Sequence, residues 1–211
     1  MIFKQIESGG DRNFGYLIGC EKTKEGALVD PSPDPLPCVN AAKSNRIKIL
    51  YVINTHSHFD HTGGNDHLLN REGAELVTFT GNGGDIEVGD GGILQLGSLA
   101  MEFIHTPGHT ADSLCIKIDD KLITGDTLFV GKVGGTYTEE EARTEFESLK
   151  KLMLLPPETE VWPGHNYGVK PHSTIGYELQ NNPFINRINS FDDFLWLKQN
   201  WAAYKQEHGI S

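Results

Sequence analysis

The sequence predicts an α/β fold in a single domain: two packed β-sheets with helices on their outer faces, closing over a site at one edge. Three observations predict it. Strand-rich segments followed by a helical pattern occur once in each half of the chain, a weak two-fold echo without a repeat in the letters. No low-complexity linker or shift in composition divides the 211 residues, a length that supports one substantial core. The 24 glycines beside 37% hydrophobic residues suit a loop-rich globule.

The elements follow in order. Phe14–Ile18 and Ala27–Val29 are short apolar runs separated by the turn-like stretch Glu21–Gly26, so both read as strands. Asp30-Pro31-Ser32-Pro33-Asp34-Pro35 ends the second, because three prolines in five residues suit neither helix nor sheet interior. Leu36–Asn45 reads as a short helix. Ile47–Ile53 is nearly continuous in apolar residues, the pattern of a strand covered on both faces. A helical pattern, Asn65–Arg71, comes after Thr62-Gly63-Gly64. Glu75–Phe79, Gly92–Leu96, Leu99–Ile104, Ser113–Ile118 and Lys121–Thr124 are further strands, divided by glycine-rich turns. Glu139–Met153 is the clearest helix, acidic in its first turn and carrying Lys150-Lys151 near its end, as the helix dipole favours. Val161-Trp162 is a short strand. Ser190–His208 reads as a C-terminal helix with Phe194, Leu197, Trp201 and Tyr204 on one stripe, expected to pack on its own domain.

Composition excludes several classes. The net charge is −11, from 29 acidic and 18 basic residues, and no cluster of Lys and Arg is available to grip a nucleic-acid backbone. No run reaches the ~20 apolar residues that a bilayer span needs. Met1–Glu7 lacks the basic segment and apolar core of a secretory leader. Cys20, Cys38 and Cys115 are an odd set without CxxC spacing, which reads as reduced thiols in a cytoplasmic protein.

The chemistry concentrates in His56-Ser57-His58-Phe59-Asp60-His61, where four ligand-type residues fall within six positions directly after a buried strand. Residues two apart on an extended chain point the same way, so His56 and His58 converge. A turn before Gly63-Gly64 lets Asp60 and His61 face the same cleft. Imidazole and carboxylate at this density are the donor set of borderline metals. Three later strand ends place a ligand-type residue beside glycine: His109, Asp126 and His165. With the first stretch they make seven ligands, enough for two metals with open positions. Cys115 lies in a strand pattern and reads as core, so no nucleophilic side chain stands out. His67, His172 and His208 read as surface residues, Trp162 as core, and His105 as a residue that orients its loop.

The order His56-x-His58-x-Asp60-His61, His109, Asp126, His165 resembles the metallo-β-lactamase superfamily. It is similar in particular to the glyoxalase II (hydroxyacylglutathione hydrolase) branch and its persulfide dioxygenase relatives. Gly125-Asp126-Thr127-Leu128-Phe129-Val130, Gly164-His165-Asn166-Tyr167, Ser173-Thr174-Ile175, Glu178 and Asn182-Pro183-Phe184 resemble that branch too. The resemblance implies a four-layer αββα sandwich. It implies that His56, His58 and His109 hold one metal, that Asp60, His61 and His165 hold a second, and that Asp126 bridges them. The cofactors would be two divalent ions, zinc foremost, with iron or manganese accepted by the same ligands.

Such a pair, ~3.5–4 Å apart, acidifies a shared water and directs it at a carbonyl. A bridging hydroxide oriented by Asp60 would then cleave a thioester such as a hydroxyacyl-glutathione. Tyr137 and Tyr167 match substrate-contacting tyrosines of glyoxalase II. The position of a basic residue used by glutathione-binding relatives is Gly135 here, and the long C-terminal substrate domain of glyoxalase II is missing. Lys132 is the candidate replacement cation. The alternatives are a mononuclear iron persulfide dioxygenase using His56, His109 and Asp126, a lactonase or esterase on the same centre, and a metal-binding scaffold without catalysis. The expected partner is a small-molecule thioester, with a monomer or homodimer as the assembly.

Overall fold

The computed structural model describes residues 1–210; Ser211, the last residue of the expected domain, lies outside the described residues. The first sheet contains β1 (Ile2–Glu7), β2 (Phe14–Gly19), β3 (Glu25–Val29), β4 (Lys48–Ile53), β5 (Glu75–Phe79) and β6 (Ile86–Val88), side by side in that order. Its first three strands are antiparallel and β3 to β6 run parallel. The second sheet has the order β14-β13-β10-β9-β8-β7. Its strands are β7 (Ile93–Leu96), β8 (Leu99–His105), β9 (Leu114–Ile118), β10 (Lys121–Gly125), β13 (Glu160–Pro163) and β14 (Ser173–Thr174). A two-residue hairpin, β11 (Leu128–Phe129) with β12 (Lys132–Val133), stands apart.

Strand alternation divides the side chains into layers. Tyr16 and Ile18 of β2 point into the core between the sheets, where they join Phe103, Leu114, Ile116 and Ile123 of the second sheet. Leu17, between them in sequence, points the other way, onto Cys38, Val39 and Ala42 of α1 (Leu36–Ser44) and Leu68 of α3 (Asn65–Glu72). Cys115 of β9 likewise turns outward, towards Phe146 and Leu149 of α4 (Glu139–Leu152) and Phe194 and Leu197 of α6 (Phe191–His208). The result is helix, sheet, sheet, helix, the four layers the sequence predicts.

The expected helices form with sound local chemistry. Thr138 and Glu141 build a reciprocal capping box at the start of α4. Ser190 caps α6 by accepting from the Asp193 amide. Its stripe packs inward: Phe194 and Leu197 are fully buried, and Trp201 and Tyr204 lie partly buried against the same cluster. β4 is covered less evenly than its apolar run suggests, with Ile49, Val52 and Ile53 buried but Leu50 and Tyr51 only half-buried. Elements too short to show a period also appear: β6, β11, β12, β14, the four-residue α2 (Phe59–Thr62), α5 (Ile175–Asn181) and a 3₁₀ turn at Ile185–Arg187. None of the helices described is long and apolar enough to cross a membrane.

Phe194 sits between Phe146 and Phe184, at centroid distances of 5.3 and 5.9 Å. Phe194→Ala is expected to lower unfolding stability by about 3–5 kcal/mol, read as a lower denaturant midpoint; an unchanged midpoint would mean that α6 does not belong to the core.

Candidate metal centre

Four strand ends meet at one edge of the sandwich. His56 to His61 follow β4, His109 follows β8, Asp126 follows β10 and His165 follows β13. Hydrogen bonds stitch these segments together: Leu114 N–H to Thr55 O at 2.8 Å, Phe14 N–H to Gly164 O at 2.8 Å and Gly164 N–H to Gly125 O at 2.7 Å. Gly164 is required by space, since a Cβ there would stand 3.0 Å from His61 Cε1. Asp60 and His61 turn into the cleft on α2, one helical turn where the sequence shows only a break.

All seven expected ligands converge, in three overlapping groups: His56, His58 and His109; His56, His61 and Asp126; and Asp60, His61 and His165. His58 Nδ1 lies 3.0 Å from both His56 Nε2 and His109 Nε2. His61 Nε2 and His165 Nε2 are 3.2 Å apart. Asp60 Oδ2 is 3.5 and 3.4 Å from those same two nitrogens. Asp126 stands between the groups, with Oδ2 3.6 Å from His109 Nε2 and 3.3 Å from His165 Nε2, and Oδ1 3.5 Å from His61 Nε2.

The outward-facing nitrogens identify what the inward ones present. His109 Nδ1 donates to Gly135 O at 2.8 Å, and His165 Nδ1 donates to Asp11 O at 2.9 Å. His61 Nδ1 donates to Asp30 Oδ2 at 3.0 Å. His56 Nδ1 donates to Thr55 Oγ1, whose own proton goes to Asp30 Oδ2. In its neutral form each of these four rings therefore turns a bare lone pair inward. Lone pairs facing one another at about 3 Å repel unless a cation or proton lies between them, and a single N–H on His58 can satisfy only one of its two neighbours. Asp126 Oδ1 is buried without any hydrogen-bond partner. Bare imidazoles, carboxylates and an orphaned buried oxygen together fit a metal ion's donor set.

Electrostatics agrees. Burial, followed by the neighbouring His61, pushes His56 down to about 2. Burial would lower His61 as well, but Asp30, Asp126 and Asp60 outweigh it and hold it up to about 9. Burial alone would raise the Asp126 carboxyl, yet the adjoining His165, 3.3 Å away, and the charge of His61 keep it well below the carboxylate range.

Asp30, at the end of β3, is the residue the sequence reading passed over. It accepts from Thr55 N–H, Thr55 Oγ1–H and His61 Nδ1–H at 2.8, 2.6 and 3.0 Å, and is fully buried. An acid directly after an apolar strand and before a run of prolines was its only sequence signal. Asn13 holds Asp60 from the other side, with Nδ2 donating to Oδ2 at 3.0 Å. His105 does orient its loop, with Nε2 donating to Ala111 O at 2.9 Å. Cys115 is core, its thiol pushed up to about 11 by burial. His67 is half-buried, and His172 and His208 are exposed.

The expected substrate contacts divide. The Tyr167 ring stacks on His165 at 4.6 Å, and Lys132 Nζ sits 4.0 Å over Tyr167. The Arg12 guanidinium also lies over that ring, at 4.7 Å. With Lys205 of α6 these cations line a cavity of about 230 Å³ whose lining contains no carboxylate among the described residues. Burial, then the charges of Lys205 and Arg12, push Lys132 below the usual lysine range. Tyr137 stands away from the Tyr167 flank: it is 89% exposed, on the lip of an adjoining cleft of about 340 Å³ that Lys132 also lines.

Comparison with known proteins follows the same line. A model of the metallo-beta-lactamase superfamily matches residues 9–83 and 74–165. The hydroxyacylglutathione hydrolase of Pelagibacter ubique is 33% identical over 196 residues, spanning 87% of this chain and 79% of the relative. That of Nitrosococcus oceani is 32% identical over 194 residues, spanning 87% and 72%. The crystal structure of ETHE1 from Myxococcus xanthus matches with a TM-score of 0.88 at 30% identity, covering 95% of this chain and 91% of that one.

Because the carboxylates keep His61 protonated at neutral pH when no ion is bound, metal uptake must displace that proton. Adding zinc to stripped protein at pH 7 is expected to release at least one proton, visible with an indicator in weak buffer. Binding without release would mean that His61 is already neutral in the stripped protein and that its neighbouring carboxylates hold no proton there.

Proposed function

The chain belongs to the metallo-beta-lactamase superfamily, and from that premise we propose that it is a dinuclear metallohydrolase that cleaves an anionic thioester, a hydroxyacyl-glutathione or similar conjugate. The observation that carries this reading is the completeness of both ligand groups with Asp126 between them. In it His56, His58 and His109 hold one ion and Asp60, His61 and His165 the other, with Asp126 shared. Zinc is the proposed metal.

Bound ions would supply an acidified water and positive charge for the oxyanion of the attacked carbonyl. The chain's residues do the rest. Asp60 is 45% exposed and fixed at Oδ2 by Asn13, so its carboxylate is set at the mouth to orient the attacking water and hold its proton. A thiolate leaves without a proton donor, so this reading requires no general acid. Arg12, Lys132 and Lys205 hold the substrate's anionic tail. Three cations around one cavity, of which Arg12 pairs with Asp11 at 3.4 Å, are a local exception in a chain of net charge −11 and favour a carboxylate-bearing substrate. The three free, buried cysteines support a reducing, cytoplasmic setting.

The likeness to ETHE1 sustains a second reading, a mononuclear iron persulfide dioxygenase in which His56, His109 and Asp126 hold the iron. Metal analysis separates the two. Two zinc ions per chain with thiol release from S-lactoylglutathione is the expected result; one iron with oxygen uptake on glutathione persulfide would replace the first reading with the second. Lys132→Ala is expected to raise KM on the order of 10-fold with kcat little changed, as loss of one charge-assisted contact implies. An unaltered KM would remove the cation cavity from substrate binding.

A further inference from the structure

A buried ion pair lies behind the candidate metal centre, and hydrolysis does not use it. Glu145 of α4 is fully buried and pairs with Lys198 of α6, whose side chain is 10% exposed. Burial pushes the Glu145 carboxyl up to about 7 against the pull of Lys198, and Glu145 Oε1 has no hydrogen-bond partner. A charge pair so deeply desolvated is weak evidence for stability, because apolar residues of the same volume often serve as well. Its position shows what else it can do.

Lys198 Nζ donates to Gly134 O at 2.9 Å as well as to Glu145. The next residue, Gly135, supplies the carbonyl that accepts from His109 Nδ1 at 2.8 Å. Glu145 also touches the other end of this arrangement. Gly108, directly before His109, has φ +142° and runs so close to the Glu145 backbone that no Cβ would fit. A Cβ on Gly134 would stand 3.0 Å from both Glu145 Oε1 and His109 Cβ. One turn along α4, Ser148 Oγ donates to Pro107 O at 2.7 Å. The pair therefore sits where the loop carrying His109 meets the loop that receives its outer N–H.

We propose that the Glu145–Lys198 pair is a positioning device for His109: through Lys198 the C-terminal helix fixes the Gly134-Gly135 backbone, and that carbonyl sets the tautomer and aim of the His109 ring. Lys198 acts through Gly135 and touches no reacting atom. The importance of His109 as a ligand rests on the function proposed above; the positioning itself does not.

The test keeps these separate. In stripped protein, the His109 and His165 side-chain Nδ1–H signals are followed by ¹H–¹⁵N NMR, with His165, which donates to Asp11 O, as internal control. Lys198→Met is expected to speed exchange of the His109 proton at least 10-fold and leave His165 unchanged. The charge-free pair Glu145→Gln/Lys198→Met recovers melting temperature but not the His109 signal, whereas Lys198→Arg retains it. In loaded protein, chelator competition shows one ion held about 10-fold more weakly in Lys198→Met, as loss of an outer partner implies. A His109 signal unchanged in Lys198→Met would overturn the proposal, as would loss at both histidines together or recovery in the double variant alongside stability. If the NMR result holds while wild-type protein retains no metal, the positioning stands and the metallohydrolase reading falls.

Discussion

The whole arrangement depends on a short seam of backbone hydrogen bonds between two sheets that otherwise meet mainly through apolar side chains. Apolar packing is non-directional and tolerates sliding, so it does not by itself align strand ends. Leu114 N–H to Thr55 O and Phe14 N–H to Gly164 O do, because each ties a residue next to a ligand segment of one sheet to the rim of the other. Tyr16 reinforces them, its hydroxyl donating to Pro163 O at 2.5 Å from a fully buried ring. With this rim fixed, loops from β4, β8, β10 and β13 can bring donors to within about 3 Å of one another.

Crowding of that kind is unfavourable in the protein alone. It persists because an outer ring of acceptors holds four of the five imidazoles by the far nitrogen: Asp11 O, Asp30, Thr55 and Gly135 O. Asp30 serves two histidine-bearing segments at once, bonding Thr55 and His61, and so couples the strand end to the short helix after it. The Glu145–Lys198 pair extends this support one layer further, to the outer helices. The molecule is thus organised outward from the donor cluster: ligand, acceptor, then the packing that holds the acceptor.

The charge distribution also divides the molecule. The chain is strongly acidic, yet Arg12, Lys132 and Lys205 gather on one flank of the ligands from three distant segments. Tyr167 joins that flank to the centre, stacked on His165 with Lys132 and Arg12 over its ring. Gly135, just after the hairpin that carries Lys132, serves through its carbonyl as the acceptor for His109. A substrate's anionic end and its reacting carbonyl would therefore be recognised by adjoining surfaces.

The candidate ligands could be picked out in the sequence because their signal is local. Period-two placement of His56 and His58, the density of histidine and aspartate after an apolar strand, and glycine beside His109, Asp126 and His165 all survive in one dimension. The long strands and helices were legible for the same reason, since Phe14–Ile18 or Glu139–Met153 carry a complete period. Asn13, Lys198 and Lys205 were not, because nothing near them in sequence distinguishes a supporting amide or lysine from a solvated one, and Asp30 was marked only by its place after an apolar strand. Two- and three-residue strands such as β6 and β12 contain less than one readable period. Residue types and their spacing thus determined which groups could bind a metal and which sandwich would carry them. Only the tertiary structure decided which tautomers face inward, which cations share a cavity and which helix braces His109, because each of those depends on contacts between segments tens to more than a hundred positions apart.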